Sequence, residues 1–240
     1  MVAFALDPAL ESASLAEAFS RHGRLQITNF LTGESADAFY RELAESQGWQ
    51  LAVNRGEQII DFKPEALAAF TPDQWAALNK AVALGGRYGF QFRYETIRLR
   101  KGEEKAAAPS LLGQFAAFLS SPEIVSFMRT LTGADDIAFA DAHASRYHPG
   151  HFLSAHDDEV ATMGRRAAYV LNLTPEWRPD WGGLLLFHDS QGNIVRGFTP
   201  GFNILNIFRV PQPHSVSWVT PLAGQPRYAV TGWLRAGEPG

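Results

Sequence analysis

The stretch Ser154-Ala155-His156-Asp157-Asp158-Glu159, answered some strands later by Pro213-His214-Ser215-Val216, decides how this chain is read. His156, Asp158 and His214 make up a 2-His-1-carboxylate set, the ligand type that holds non-haem Fe(II) and leaves positions open for a cosubstrate and O₂. On an extended segment, side chains two residues apart point to one face, so His156 and Asp158 can reach a single ion. His214, on a distant strand, then closes the set. Asp157 competes with Asp158 for the carboxylate role, and alternation gives the inward face to Asp158 when His156 is inward.

The surroundings of these residues are β-rich. From Asp136 onward, the segments 137–147, 167–173, 184–188, 193–195, 202–208, 216–219 and 227–234 read as short strands. Pro149-Gly150, Gly182-Gly183, Gln191-Gly192, Pro200-Gly201 and Gly224-Gln225-Pro226 punctuate them. Many short strands at this spacing predict a barrel or sandwich, and a jelly roll brings distant strands face to face. Upstream, helical spacing predicts helices over 10–22, 32–45, 122–131 and a stretch through Trp75, Leu78, Val82 and Leu84. Short strands are predicted over 24–31, 49–53, 58–62 and 89–94, and the charged run Lys101 to Ala108 reads as an exposed loop. The expectation is one α+β domain over 1–240, with a helix-rich support, 1–135, packed outside one sheet of a β core, 136–240.

Bulk properties are compatible with this and exclude several alternatives. The 240 residues are 46% hydrophobic and 19% charged, the composition of a folded globule. A net charge of −4 argues against a broad nucleic-acid or membrane surface. There is no cysteine, which removes disulfides, thiolate zinc sites and cluster ligation, and leaves His, Asp and Glu as the strong metal ligands. No basic, apolar leader stands at the amino terminus, and no apolar run approaches the roughly 18 residues of a membrane span. A cytoplasmic location is expected.

Most of the seven histidines need no function. His22, His143, His148, His151 and His188 are expected at a helix end, in packed strand positions or beside turns. Three further features strengthen the set at 156, 158 and 214. On a strand, Arg227, Ala229, Thr231 and Trp233 share a face, and an arginine turned into a barrel needs an anion, since a lone buried charge is costly. Its planar fork suits a carboxylate held through two hydrogen bonds. Tyr147 offers a phenol to a carboxylate or a substrate, and Trp181-Gly182-Gly183 is a turn that starts the apolar run Leu184 to Phe187.

With these pieces in order, residues 136–235 resemble the 2-oxoglutarate- and Fe(II)-dependent dioxygenases, in the prolyl-hydroxylase-like branch that includes the ribosomal-protein prolyl hydroxylases. The matching elements are Tyr147-His148-Pro149-Gly150, His156 to Glu159, Arg165 to Asn172, Trp181-Gly182-Gly183, Pro213-His214 and Arg227 to Trp233. The resemblance implies a double-stranded β-helix, cupin-like in shape, with iron on His156, Asp158 and His214. It implies 2-oxoglutarate on the metal, its distal carboxylate on Arg227, and Tyr147 near the cosubstrate or substrate. Where relatives often carry a tyrosine as second donor to that carboxylate, this chain has Asn172, which is expected to make the contact. The reaction implied is O₂-dependent hydroxylation of a C–H bond with release of succinate and CO₂, and with ascorbate dependence. The substrate expected is a prolyl residue in a protein, with a small molecule or free amino acid as the alternative. Two rivals remain: a cupin-like dioxygenase without 2-oxoglutarate, which has no use for Arg227, and a non-catalytic barrel that binds or senses.

Overall fold

In the computed structural model, residues 3–99 and 109–237 are described. The loop expected at 101–108 lies outside them. The sheet is a single antiparallel one that curls into a nearly closed barrel. Its long central strand is β13 (Arg227–Ala236), flanked by β8 (Arg165–Leu173) and β6 (His143–Tyr147). Beyond β8 come β11 (Phe202–Arg209) and β1 (Arg24–Thr28). Beyond β6 come β4 (Phe92–Arg98), β7 (Phe152–His156), β12 (His214–Val216), β9 (Leu185–His188) and β10 (Ile194–Phe198). A hairpin of β2 (Gln50–Arg55) and β3 (Gln58–Phe62) hangs on β4, and β5 (Ile137–Ala140) pairs with the end of β13.

The first half contributes strands as well as helices to the barrel. β1 and β4 are members of the main sheet itself, and β4 bridges β6 and β7. The strand expected over 137–147 is two strands, because Asp141 leaves the ladder. Its carboxylate accepts from the Trp233 amide, and its carbonyl lies against Gly232, where a Cβ would come within 2.0 Å of it.

Helices α1 (Ser12–His22), α2 (Gly33–Glu45), α5 (Leu111–Leu119) and α6 (Pro122–Thr132) cover one side of the barrel. They bury Phe19, Phe39, Phe115, Leu119, Met128 and Leu131 against Tyr169, Leu171, Leu205 and Ile207 of the sheet. Each aromatic or leucine so buried stabilises by about 1.5–3 kcal/mol. α1 stops at Gly23, whose φ of 64° is left-handed backbone that glycine adopts without strain. Two α-helices were not foreseen, α3 (Pro64–Ala68) and α5. α4 (Pro72–Tyr88), capped by Thr71 and Gln74, packs Val82 and Leu78 on the β2–β3 hairpin. Among the described residues no single helix is long and apolar enough to cross a membrane.

One polar cluster ties the hairpin side of the barrel together. Glu95 on β4 lies opposite Arg146 on β6 and accepts hydrogen bonds from Arg146 and, at 3.1 Å, from His148. Burial pushes the Glu95 carboxyl up, but these donors and their charges outweigh it and hold the group at about 2. A depressed carboxylate stabilises the fold above the ordinary carboxylate range and loses that contribution as pH falls through the folded value. Glu95→Gln is therefore expected to unfold more easily than the wild type near neutral pH. In denaturant titrations, the gap between the two should shrink steadily from about pH 5 towards pH 2. A gap that stays constant over that range would show that the Glu95 charge contributes nothing.

Candidate metal centre and its cavity

The two histidines of the proposed ligand set meet by strand pairing. His214 on β12 lies directly opposite His156, the last residue of β7, and their rings are 4.2 Å apart. Each Nδ1 faces a backbone carbonyl two residues earlier, Ser154 at 3.0 Å and Gln212 at 2.8 Å. A carbonyl can only accept, so Nδ1 carries the proton in both rings and Nε2 is left free to ligate. Burial pulls the His214 imidazole down to about 4, so it is neutral, as a ligand must be, at physiological pH.

Asp158 reaches the site by a route that alternation does not describe. β7 ends at His156, and Asp158 has a φ of 65°, left-handed backbone that aspartate tolerates better than most residues. The turn, not a shared strand face, brings its oxygens to 3.5 Å from both Nε2 atoms. Burial raises the Asp158 carboxyl, but its contacts with the His156 and His214 rings prevail and lower it overall. Asp157, by contrast, is exposed and caps its own turn by accepting from the Glu159 amide. The ligand atoms of His156, Asp158 and His214 all lie within 4.8 Å of one another, the only such group among the described residues. Two imidazoles and one carboxylate converging in this way fit a divalent Fe(II).

These groups line a cavity of about 480 Å³ that also contains Tyr94, Tyr147, Arg165, Thr231, Trp233 and Arg227. Arg227 is 2% exposed, and no carboxylate pairs with it among the described residues. Its Nη2 donates to Asn172 Oδ1 at 3.2 Å, its guanidinium lies 5.1 Å over the Tyr147 ring, and its Nε is buried without a partner. Burial lowers its pKa from the ordinary arginine value, which measures how poorly the surroundings compensate the charge. Gly182 and Gly183 give the chain room here. A Cβ on Gly183 would lie 3.3 Å from Arg227 Cδ, and one on Gly182 would meet the Trp218 carbonyl at 2.0 Å.

Asn172 is placed differently from the expectation. It does not line the cavity, and its Nδ2 donates to the Val170 and Ile204 carbonyls. With Oδ1 taken by Arg227, it holds the arginine and has no amide proton left for a ligand. Tyr147 does line the cavity, stacked on Tyr94 at 5.2 Å, and burial pushes its phenol up.

Sequence reading missed Arg165 and the wall around it. Arg165 Nη1 donates to the Asp158 carbonyl at 2.9 Å, and the guanidinium stacks on Trp233 at 3.6 Å. Alternation from Ala168 and Val170 would turn residue 165 away, but the β8–β13 register shifts between Leu234 and Arg235 and brings it inward. Of the histidines read as structural, His143 lines the cavity against Trp233, His188 bonds Ser215, and His148 and His151 contact each other; none joins the ligand cluster.

One cavity of the curled antiparallel barrel thus gathers a His-Asp-His cluster able to hold a metal ion and a buried arginine. Residues 142–235 match the model of the 2OG-Fe(II) oxygenase superfamily. Prolyl 3-hydroxylase OGFOD1 of Xenopus laevis is 33% identical over 154 residues, which are 60% of this chain and 28% of that protein. The chain thus spans little more than a quarter of the length of that relative. A prolyl-4-hydroxylase from Pseudomonas putida superposes with a TM-score of 0.61 at 18% identity, covering 95% of this chain and 100% of that one. A Trichoplax adhaerens prolyl hydroxylase, solved with a hypoxia inducible factor peptide fragment, gives 0.61 at 16% identity, over 94% of this chain and 89% of the other. At these identities the structural matches establish a shared fold.

Substituting His156, Asp158 or His214 by alanine is expected to weaken Mn(II) binding, followed by calorimetry without oxygen, to below detection. Asp157→Ala should bind nearly as the wild type does. Loss of binding in Asp157→Ala with retention in Asp158→Ala would reassign the carboxylate ligand.

Proposed function

We propose that this protein is a 2-oxoglutarate- and Fe(II)-dependent dioxygenase that hydroxylates a prolyl residue in a protein. The observation that carries the reading is the presence, in one cavity, of a convergent His-Asp-His cluster and an unneutralised buried arginine. His156, Asp158 and His214 would hold the iron, and Arg227 would hold the distal carboxylate of 2-oxoglutarate. Bound together, these groups supply the activation of O₂ for C–H hydroxylation, with succinate and CO₂ as the other products.

The chain's own residues do the rest. The carbonyls of Ser154 and Gln212 fix the two imidazoles, and Arg165 fixes the Asp158 turn through its carbonyl. Asn172 and the glycine turn hold the Arg227 fork pointing at the cavity, where it can make the two parallel contacts a carboxylate accepts. Tyr94, Tyr147, Val170, Leu185 and Val216 keep the wall largely apolar, which excludes water around the charged groups. Towards the mouth stand Ile59 and Phe90, both about half exposed at 53% and 45%, and Val160 at 41%. An exposed apolar rim suits a peptide carrying a proline better than a small, strongly polar metabolite. The prolyl hydroxylase relatives support the same choice. Dependence on ascorbate and a cytoplasmic setting belong to this proposal.

The expected result is succinate formation from 2-oxoglutarate that requires Fe(II), rises with ascorbate, and is accelerated by proline-containing peptides. Mass spectrometry should find one added oxygen atom on a prolyl residue. Coupled turnover of a free amino acid or other small molecule, with no oxygen added to any peptide in a broad library, would overturn the protein substrate. No succinate with any substrate would favour a binding module built on the same barrel.

A further inference from the structure

The barrel does not quite close: β1 and β10 are the two ends of its strand order, and a second cavity of about 560 Å³ lies between them and the end of α1. Arg21, His22, Arg24 and Arg196 line it, and no carboxylate does. Arg21 is engaged by Glu17 on its own helix. Arg24 and Arg196 have no hydrogen-bond or ion-pair partner among the described residues; each instead rests on an aromatic ring. The Arg24 guanidinium is 5.1 Å from the centre of Phe187, and that of Arg196 is 5.3 Å from Phe198. These two rings pack edge to face at 5.6 Å, so they set the two cations side by side. The Arg24 pKa is lowered by burial and then by the Arg196 charge, as expected for neighbouring like charges that nothing neutralises.

In a chain of net charge −4, two mutually repelling guanidinium groups at one seam need an explanation. Arginines on an open strand edge can simply block further strand pairing. That role is served by charges spread along the edge, and it does not require both forks fixed on adjacent rings over one cavity. We infer that this seam binds an anion, a phosphate-bearing small molecule held between the forks of Arg24 and Arg196. A phosphate group carries enough acceptor oxygens and charge to serve two guanidinium forks at once, which a single carboxylate does not. The cavity volume is in the range of small-molecule sites and leaves room for more than the phosphate itself. The site is separate from the metal cavity and would operate whatever the oxygenase substrate proves to be.

The test is calorimetric titration of inorganic phosphate and of pyrophosphate into the metal-free protein at low ionic strength. The wild type, Arg24→Gln, Arg196→Gln and Arg227→Ala are compared. Saturable binding is expected, tighter for pyrophosphate, weakened about tenfold or more by either glutamine substitution and unchanged in Arg227→Ala. Both glutamine variants are at accessible positions, and an unaltered melting transition without phosphate would confirm that they fold. Three results would overturn the inference: no saturable binding, equal affinity in both glutamine variants, or loss confined to Arg227→Ala. Self-association of the glutamine variants without any phosphate effect would show the arginines to be edge guards.

Discussion

A guanidinium group buried at Arg227 without a counter-charge is the constraint around which the site is built. Desolvating such an ion costs several kcal/mol, and one hydrogen bond donated to Asn172 and the face of Tyr147 offset only part of that. Proteins rarely keep an orphaned charge in an apolar wall unless something anionic enters beside it. In the proposed function the distal carboxylate of 2-oxoglutarate closes the balance. Iron held by the His156, Asp158 and His214 cluster in the same cavity would supply the second point of attachment.

Much of the fold serves to hold these two points. β13 carries Arg227, Thr231 and Trp233 on one face, and its two neighbours bring Tyr147 from one side and Asn172 from the other. The β7–β12 pair sets the histidines opposite each other, and Arg165 clamps the turn that delivers Asp158. Helices α1, α2, α5 and α6 contribute no residue to the cavity and stiffen another side of the sheet through Phe39, Phe115 and their neighbours. The Trp181-Gly182-Gly183 turn belongs to the site as much as to the fold, since side chains there would collide with Trp218 or press on Arg227.

The ligand set and the arginine were legible because each depends on residue type and on long-range order along the chain. Period-two alternation points to Asp158, the carboxylate that joins the His156–His214 cluster, yet the strand ends before it and a left-handed turn performs the placement. Arg165 was illegible because a register shift late in β13 reverses the alternation that would have excluded it. Helix α5, Leu-Leu-Gly-Gln-Phe-Ala-Ala-Phe-Leu, is apolar on nearly every side and so carries no helical period to detect. The strand expected at 89–94 begins at Phe92 instead, because Gln91 turns into a buried amide network with Asn54. Asn172 shows the remaining limit. Sequence places it near Arg227 but cannot say whether its amide faces the ligand or the arginine.

The most direct measurement is anaerobic calorimetric titration of 2-oxoglutarate into the Mn(II)-loaded protein, with Arg227→Ala and Arg227→Lys beside the wild type. Removing one partner of a buried charge pair costs on the order of 3–5 kcal/mol, or roughly two to three and a half decades of affinity. Arg227→Ala should lose about that much while its Mn(II) affinity holds, and Arg227→Lys should recover only a part, lacking the two-pronged contact. Wild-type affinity for 2-oxoglutarate in Arg227→Ala would contradict the assignment of the buried arginine and, with it, of the cosubstrate.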